Sequence, residues 1–328
     1  MKITQNVIPF LSEAKVRNEI KIKYGFEPVH CILMGHLRSS IFLITNEYSN
    51  YIFKIYGSNF HQLESIKGEV ELLNILQQQG AAVSFAIKDI NNEQIQEFNT
   101  AEGLCYGILF SYAEGEQSPI MTANQLIALG RELAKIHKIT AGLKLKNQLK
   151  EYDINTMLII PLKEIKPAFR DRKDEYKYLL EIGSYAIKKI KQLKRSHHQY
   201  CYIHYDLSSS NIHFDHQNKV TFFDFDIAGK GLPIQDIVAI NMHHFNLVRT
   251  GKISKEEANE AFKLFLNSYQ TISKVDDLEM ETMPYFGFGY LLFGMHLIIE
   301  HFEEYSYQEY LKDRLLLIKL WVDQYIIV

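Results

Sequence analysis

The sequence is poor in the residues that staple small extracellular folds. It has three cysteines in 328 residues, Cys31, Cys105 and Cys201, far apart and with no C-x-x-C pair. An odd, scattered count argues against a disulfide framework or a zinc ribbon and favours a reducing compartment. Neither charge is in surplus. The 36 Lys and Arg against 39 Asp and Glu leave a net charge of -3 and a pI near 6.5. There is thus no electrostatic case for nucleic acid or an anionic membrane surface as a partner. Long apolar runs are missing as well. The most apolar segment, residues 290–299, contains His296 and stops at Glu300, short of the roughly 20 residues a bilayer requires. The first 15 residues have no long apolar run and no small-residue cleavage site, so no signal peptide is expected. These absences predict a cytoplasmic, soluble protein. No internal repeat or low-complexity tract occurs, and tryptophan appears once against 20 Tyr and 20 Phe. The hydrophobic share of 47% is enough for a substantial core in one large or two modest domains.

The most informative stretch is residues 201–236, CYIHYDLSSSNIHFDHQNKVTFFDFDIAGKGLPIQD. His204, Asp206 and Asn211 form His-x-Asp-x-x-x-x-Asn, and Asp224-Phe-Asp226 follows thirteen residues after the Asn. A base, a polar metal ligand and an acidic metal ligand, in that order, are what magnesium-dependent phosphoryl transfer requires. The same region has a rival reading as a metal-dependent hydrolase, through His213, Asp215 and His216. Those three also suit an ordinary short strand and turn.

Upstream, residues 12–24 read as a helix capped by Ser12 and ended by Gly25. Strands are expected at 30–34, 41–45 and 51–56, the first two joined by a loop over 35–40. Residues alternate faces along a strand, so Ile52, Lys54 and Tyr56 share one side. A helix over 62–79 has the apolar stripe Ile66, Val70, Leu73 and Leu76, which puts Glu69 on the buried face. A buried carboxylate needs a partner, and Lys54 is the nearest candidate. Two or three more strands are expected over 81–113, with a polar loop over 91–102. From 114 onward helices dominate: 122–139, then 173–194 after an irregular insertion over 140–166. Next come a helix opened by the capping box at Ser254 and Glu257, and two aromatic-rich helices over 284–303 and 306–325. His243, His244, His197 and His198 read as ordinary helix and loop residues. Glu300, Glu303 and Glu304 read as a solvated helix face, with the binding of a cationic acceptor as the alternative.

These residues resemble the aminoglycoside phosphotransferase and choline kinase family, a relative of the protein kinases. The branch with homoserine kinase and the bacterial stress-response kinases is especially similar. The resemblance is carried by His204 to Asn211, by residues 223–226 with Gly229 and Gly231, by Gln235-Asp236-Ile237, and by the helical segment LGRELAKIH at 129–137. It implies an α+β, protein-kinase-like two-lobed fold. A small N-terminal nucleotide-binding lobe, residues 1–113, would hold an antiparallel sheet and one main helix. A larger, mostly helical catalytic and acceptor-binding lobe would follow over 114–328. It implies ATP and Mg²⁺ as cofactors and a small hydroxylated acceptor such as an aminoglycoside, homoserine or choline.

By the same resemblance, Asp206 would take or orient the acceptor's hydroxyl proton, with His204 supporting its loop. Asn211 and Asp224 would hold Mg²⁺. Lys54, held by Glu69, would contact the α- and β-phosphates. Gly35, Ser39 and Ser40 would cover the phosphates. Residues 110–116, with Phe110 and Tyr112, would form the adenine hinge, and Asp236 would brace the catalytic loop. Tyr205 stands where the family mostly has Gly, Ser208 and Ser210 stand where His and Gly are common, and the phosphate loop has one glycine. A stress-response Ser/Thr protein kinase, a non-catalytic pseudokinase and the hydrolase are the alternatives. The eleven residues between Asp224 and Asp236 leave no room for a long activation segment, which favours a small acceptor.

Overall fold

The structure is a computed structural model that describes residues 11–36, 38–58, 60–100, 103–193, 200–301 and 304–326. Leu37, Lys194, His197, His198 and Glu303 lie outside the described residues, as does the side chain of Glu304. In chain order the helix α1 (Glu13–Tyr24) comes first. Ser12 caps it through its hydroxyl, and Gly25 closes it in the left-handed region at φ +73°. The strands β1 (His30–His36), β2 (Ser39–Thr45) and β3 (Asn50–Tyr56) follow, then α2 (Leu63–Gln78), β4 (Gln96–Thr100) and β5 (Gly103–Ser111). Next are α3 (Ala123–Thr140), β6 (Lys150–Glu151), α4 (Ile160–Glu164) and α5 (Lys173–Ile190). Short strands β7 (Cys201–Ile203), β8 (Ile212–Phe214), β9 (Val220–Phe222) and β10 (Gly229–Gly231) precede α6 (Ile234–Arg249), α7 (Lys255–Gln270), α8 (Asp277–His301) and α9 (Glu304–Tyr325).

The chain forms two compact units. One comprises Met1–Ser118, Lys144–Leu149 and Asn211–Asp226; the other comprises Pro119–Leu143, Lys150–Ser210 and Ile227–Val328. The first unit contains an antiparallel sheet in the order β1-β2-β3-β5-β4 and the separate hairpin β8–β9. Val16 and Ile20 of α1 share a buried cluster with Phe42, Ile44, Phe53, Ile55 and Leu109. The second unit has the small sheet β6-β10-β7 and helices α3 to α9. There α3 packs closely on α7 because Gly130 has no side chain; a Cβ at that position would lie 2.4 Å from the Phe265 carbonyl oxygen. The architecture is α+β, with the sheet in the N-terminal part and helices dominating the C-terminal part.

Several element bounds differ from the pattern-based expectation. The loop expected over 35–40 is mostly strand, because Ser39 and Ser40 pair with Tyr56 and Ile55 of β3, and β1–β2 pairing continues to His36 and Ser40. The polar stretch over 91–102 contains β4. Its Gln96 and Phe98 are buried while Glu97 and Asn99 are exposed. A half-exposed edge strand can thus be mostly polar and still alternate. The insertion over 140–166 is not irregular throughout: it holds a π-helical turn at Asn155–Ile159 and α4, which bury Met157, Leu158 and Leu162. α6 had no expected counterpart. Pro284 lies inside α8 rather than at its start. The segment Asp277–Glu300 is long and apolar enough to cross a membrane by length and composition, and 67% of its most apolar window is buried inside the protein.

Candidate functional site

The first unit gathers a lysine and two carboxylates. Lys54 projects from β3, and the strand hydrogen-bonds on both sides, to Ile41 of β2 and Ile108 of β5. Its Nζ lies 2.5 Å from Asp224 Oδ1 and 3.2 Å from Asp226 Oδ2. The Lys54 side chain is 6% exposed and that of Asp224 is 31% exposed, so the pair is buried at its cation and partly open at its carboxylate. Burial alone would lower the Lys54 pKa; the charges of Asp224, Asp226 and Glu69 raise it well above the ordinary lysine value. Asp224 follows β9 with φ +66°, a left-handed conformation uncommon for a residue with a side chain. The Phe223 amide just before it donates to the Asn211 carbonyl at 3.1 Å, which ties the amide-bearing candidate to the carboxylate-bearing turn.

Glu69 is buried on the inward face of α2, as its helical spacing predicts. The expected Lys54–Glu69 ion pair, however, is absent from the ion pairs of the described residues. Lys54 turns to the two nearer carboxylates, and Glu69 instead accepts a hydrogen bond from the Tyr56 hydroxyl at 2.9 Å. Burial pushes Glu69 up to about 8, with Lys54 pulling down and Asp226 and Asp224 pushing up. Its proton is therefore taken up on folding. The stabilisation is complete below the unfolded value near 4.5 and is lost as pH rises through about 8. Glu69→Gln mimics the protonated form. Its stability relative to wild type should climb by up to about 1.4 kcal/mol per pH unit across that window. Urea melts of both proteins at pH 5 to 8 would show this; a constant difference would mean Glu69 is ionised throughout.

Gly35, Ser39 and Ser40 lie on the β1–β2 hairpin. Ser39 and Ser40 are buried. Ser40 Oγ is 2.7 Å from His36 Nδ1, and Ser39 Oγ is 3.5 Å from His61 Nε2. The expected hinge leaves β5 at Ser111. Several of its backbone groups are already engaged: Ser111 N donates to Phe85 O, Glu116 pairs in both directions with Phe214, and Ala113 O accepts from His213 Nδ1. Gly115 is required there, since a Cβ would lie 2.1 Å from the Phe214 carbonyl oxygen. Two of the three side chains behind the hydrolase reading serve local structure. His213 holds the expected hinge segment at Ala113, and Asp215 caps the Gln217 and Lys219 amides of its own turn. Among the described residues no group of three or more His, Cys, Asp or Glu is gathered around one point. The oxygen donors of Asp224, Asp226 and Asn211 suit a hard divalent cation, which takes carboxylate and amide oxygens and keeps waters. The Lys54 ammonium suits the phosphates such a cation carries.

The second unit contains His204, Asp206 and Asp236. Asp236, in the first turn of α6, is fully buried and accepts from the His204 and Tyr205 amides at 2.8 Å each and from His137 Nε2 at 3.0 Å. Tyr205 is held at φ +64° between them. A bulky residue there carries about 1–3 kcal/mol of strain, which the surrounding structure must absorb. Its ring offsets this by stacking on Tyr152 at 3.6 Å and meeting Phe293 edge-on at 5.3 Å. The Tyr205 hydroxyl is buried with no hydrogen-bond partner. Tyr205→Phe should therefore raise stability by about 1 kcal/mol, read as a higher thermal midpoint; a lower midpoint would mean the hydroxyl is satisfied.

Three further residues join these groups; His137 closes the 129–137 segment that carried part of the resemblance, whereas Tyr290 and His61 had no local sequence signal. Tyr290 of α8 hydrogen-bonds Asp206 through its hydroxyl. His137 links Asp236 to the Tyr269 hydroxyl, 2.8 Å away. His61 Nε2 lies 3.8 Å from Asp226. Glu164 approaches His296 at 2.6 Å and Glu300 at 3.9 Å; Glu300 itself is exposed, in keeping with a solvated helix face.

The chain is 28% identical over 235 residues to an uncharacterised protein of Synechocystis sp., covering 71% of this chain and 65% of that protein. It is 23% identical over 243 residues to the amicoumacin kinase of Bacillus subtilis, covering 72% of this chain and 70% of that one. Among solved structures, an amicoumacin kinase in complex with AMP-PNP, Ca²⁺ and Ami superimposes with a TM-score of 0.78 at 21% identity, covering 96% of this chain and 94% of that one. At that identity the likeness concerns the fold, which is kinase-like. The model of the phosphotransferase enzyme family matches residues 32–251, well over half the sequence and the span from within β1 through Asp236, and the chain belongs to that family.

Proposed function

We propose that this protein is an ATP- and Mg²⁺-dependent phosphotransferase that moves the γ-phosphate to a hydroxyl of a small molecule. The observation that carries the reading is the pairing of one deeply buried lysine, Lys54, with Asp224 and Asp226. Burying a cation with two carboxylates carries a desolvation cost that well-packed apolar residues would avoid, so a chemistry that uses these charges accounts for them. Phosphoryl transfer is a chemistry that does, because its catalysis is mostly positioning and charge neutralisation. A bound Mg²⁺ would supply neutralisation of charge on the transferring phosphoryl oxygens.

The chain's own residues take these parts. Asn211 and Asp224 hold the ion. Lys54 contacts the α- and β-phosphates. Ser39, Ser40 and Gly35 line the phosphates from the hairpin, and Phe110 and Tyr112 flank the adenine. Asp206, with one side held by the Tyr290 hydroxyl, takes the acceptor's proton. His204 and Asp236 fix the loop that carries Asp206. Residues 1–113 serve the nucleotide, and 114–328 serve catalysis and the acceptor. Ile227 to Pro233 is taken up by β10 and a short turn into α6, too compact for a peptide-docking segment, which supports a small acceptor over a protein. A relative named for amicoumacin also supports one.

The test is calorimetric titration of ATP with Mg²⁺, followed by a screen of hydroxylated metabolites and antibiotics for stimulated ADP release. ATP should bind, and one acceptor class should accelerate turnover. No binding at millimolar ATP would refute the proposal.

A further inference from the structure

The turn after β3 places His61 among groups already given to the nucleotide. Its side chain is 4% exposed, and Nε2 stands 3.8 Å from Asp226 Oδ2, the oxygen that Lys54 Nζ approaches at 3.2 Å. On its other side the same nitrogen is 3.5 Å from Ser39 Oγ. The ring meets Tyr56 edge-on at 5.1 Å. The backbone holds this arrangement: His61 N donates to Gly57 O, and Gly57 N donates to Arg38 O, each at 3.1 Å. The turn and the β1–β2 hairpin are thus one wall. Arg38 adds to it a guanidinium Nε that is buried without a hydrogen-bond partner. Lys54 Nζ and His61 Nε2 thus approach the same Asp226 oxygen from two elements of one wall. Two nitrogen donors converging beside a pair of carboxylates fit a ligand that brings anionic oxygens together with a cation for the carboxylates.

We propose that His61 is a phosphate-binding residue, donating from Nε2 to a phosphate oxygen of the bound nucleotide beside Lys54. This rests on the nucleotide reading above. When a divalent cation takes the carboxylates, the nitrogens facing them are left to the phosphates that the cation carries. Imidazole N–H to phosphate is a charge-assisted hydrogen bond, short and stronger than a neutral one.

The experiment compares ATP, ADP and adenosine binding to wild type, His61→Gln and His61→Asn by calorimetry with Mg²⁺. Gln can place its amide nitrogen near the Nε2 position, whereas Asn is too short. His61→Asn should weaken ATP by about tenfold or more and leave adenosine within about twofold; His61→Gln should restore most of the loss. Equal weakening of all three ligands by His61→Asn would make His61 a structural latch and overturn the proposal, as would unchanged ATP affinity. Failure of wild type to bind any of the three would instead refute the nucleotide reading, and this inference with it. Should His61→Asn fold poorly, Ser39→Ala with Arg38→Gln probes the same wall. Unchanged ATP-to-adenosine selectivity there would equally overturn it.

Discussion

Asp206→Asn should lower phosphoryl transfer by about 10²–10⁴-fold and leave ATP affinity within about twofold. The substitution keeps the shape of the side chain, and the Tyr290 hydroxyl that bonds Asp206 can donate to the amide oxygen instead. What is lost is the capacity to accept the acceptor's proton. The surrounding loop is over-determined: the residue before Asp206 sits at φ +64°, with its amide bonded to Asp236 and its ring stacked on Tyr152. The variant should therefore fold normally, and the loss should appear in single-turnover transfer once an acceptor is known. Burial and the neighbouring Asp206 charge raise Tyr290 well above the ordinary phenol value, with Arg314 pulling the other way. Tyr290 thus remains a donor throughout the working pH range. An Asp206→Asn protein retaining more than about a tenth of wild-type transfer would remove Asp206 from the base role. Loss of ATP binding would assign it to the nucleotide instead.

The candidate residues were readable where a local period or a fixed spacing carries the information. Glu69 could be placed inward because helix geometry repeats every three to four residues, and Lys54 because a strand alternates. The span from His204 to Asp224 could be read because its candidate residues stand at fixed spacings on one short stretch. What could not be read depends on distance in sequence. Nothing near Lys54 tells that its partners lie 170 residues later, at Asp224, rather than at Glu69. His61 and Tyr290 are single residues in a turn and a long helix, with no repeat to mark them. β4 was hidden because its exposed face is polar, and α8 was drawn too short because Pro284 resembles a helix start. In the fold, a proline after the first turn is accommodated, and α8 begins at Asp277, seven residues earlier.

Asp236 offers the largest stability effect. Asp236→Ala would leave the His204 and Tyr205 amides and His137 Nε2 buried without their acceptor. Removing one side of a buried, charged network costs about 3–5 kcal/mol, because the remaining groups are desolvated and unpaired. For a domain with about 5–15 kcal/mol of total stability that is a large fraction. The left-handed backbone at Tyr205 is held by the same carboxylate, so its strain would be released toward an unbound loop. The pH dependence separates this from simple cavity formation. Burial alone would raise Asp236, but the His137 hydrogen bond, the His137 and His204 charges and the His204 amide bring it below the ordinary aspartate value. A depressed acid stabilises the fold above its unfolded value, near 3.9, and the stabilisation is lost as pH falls through the folded value. Wild type should therefore lose stability between pH 5 and pH 3 more steeply than Asp236→Ala, so the gap between their urea midpoints narrows on acidification. Asp236→Asn should fall between the two at neutral pH, since its amide oxygen can still accept from one backbone N–H. A gap between wild type and Asp236→Ala that stayed constant with pH would mean the carboxylate charge is not what holds this loop.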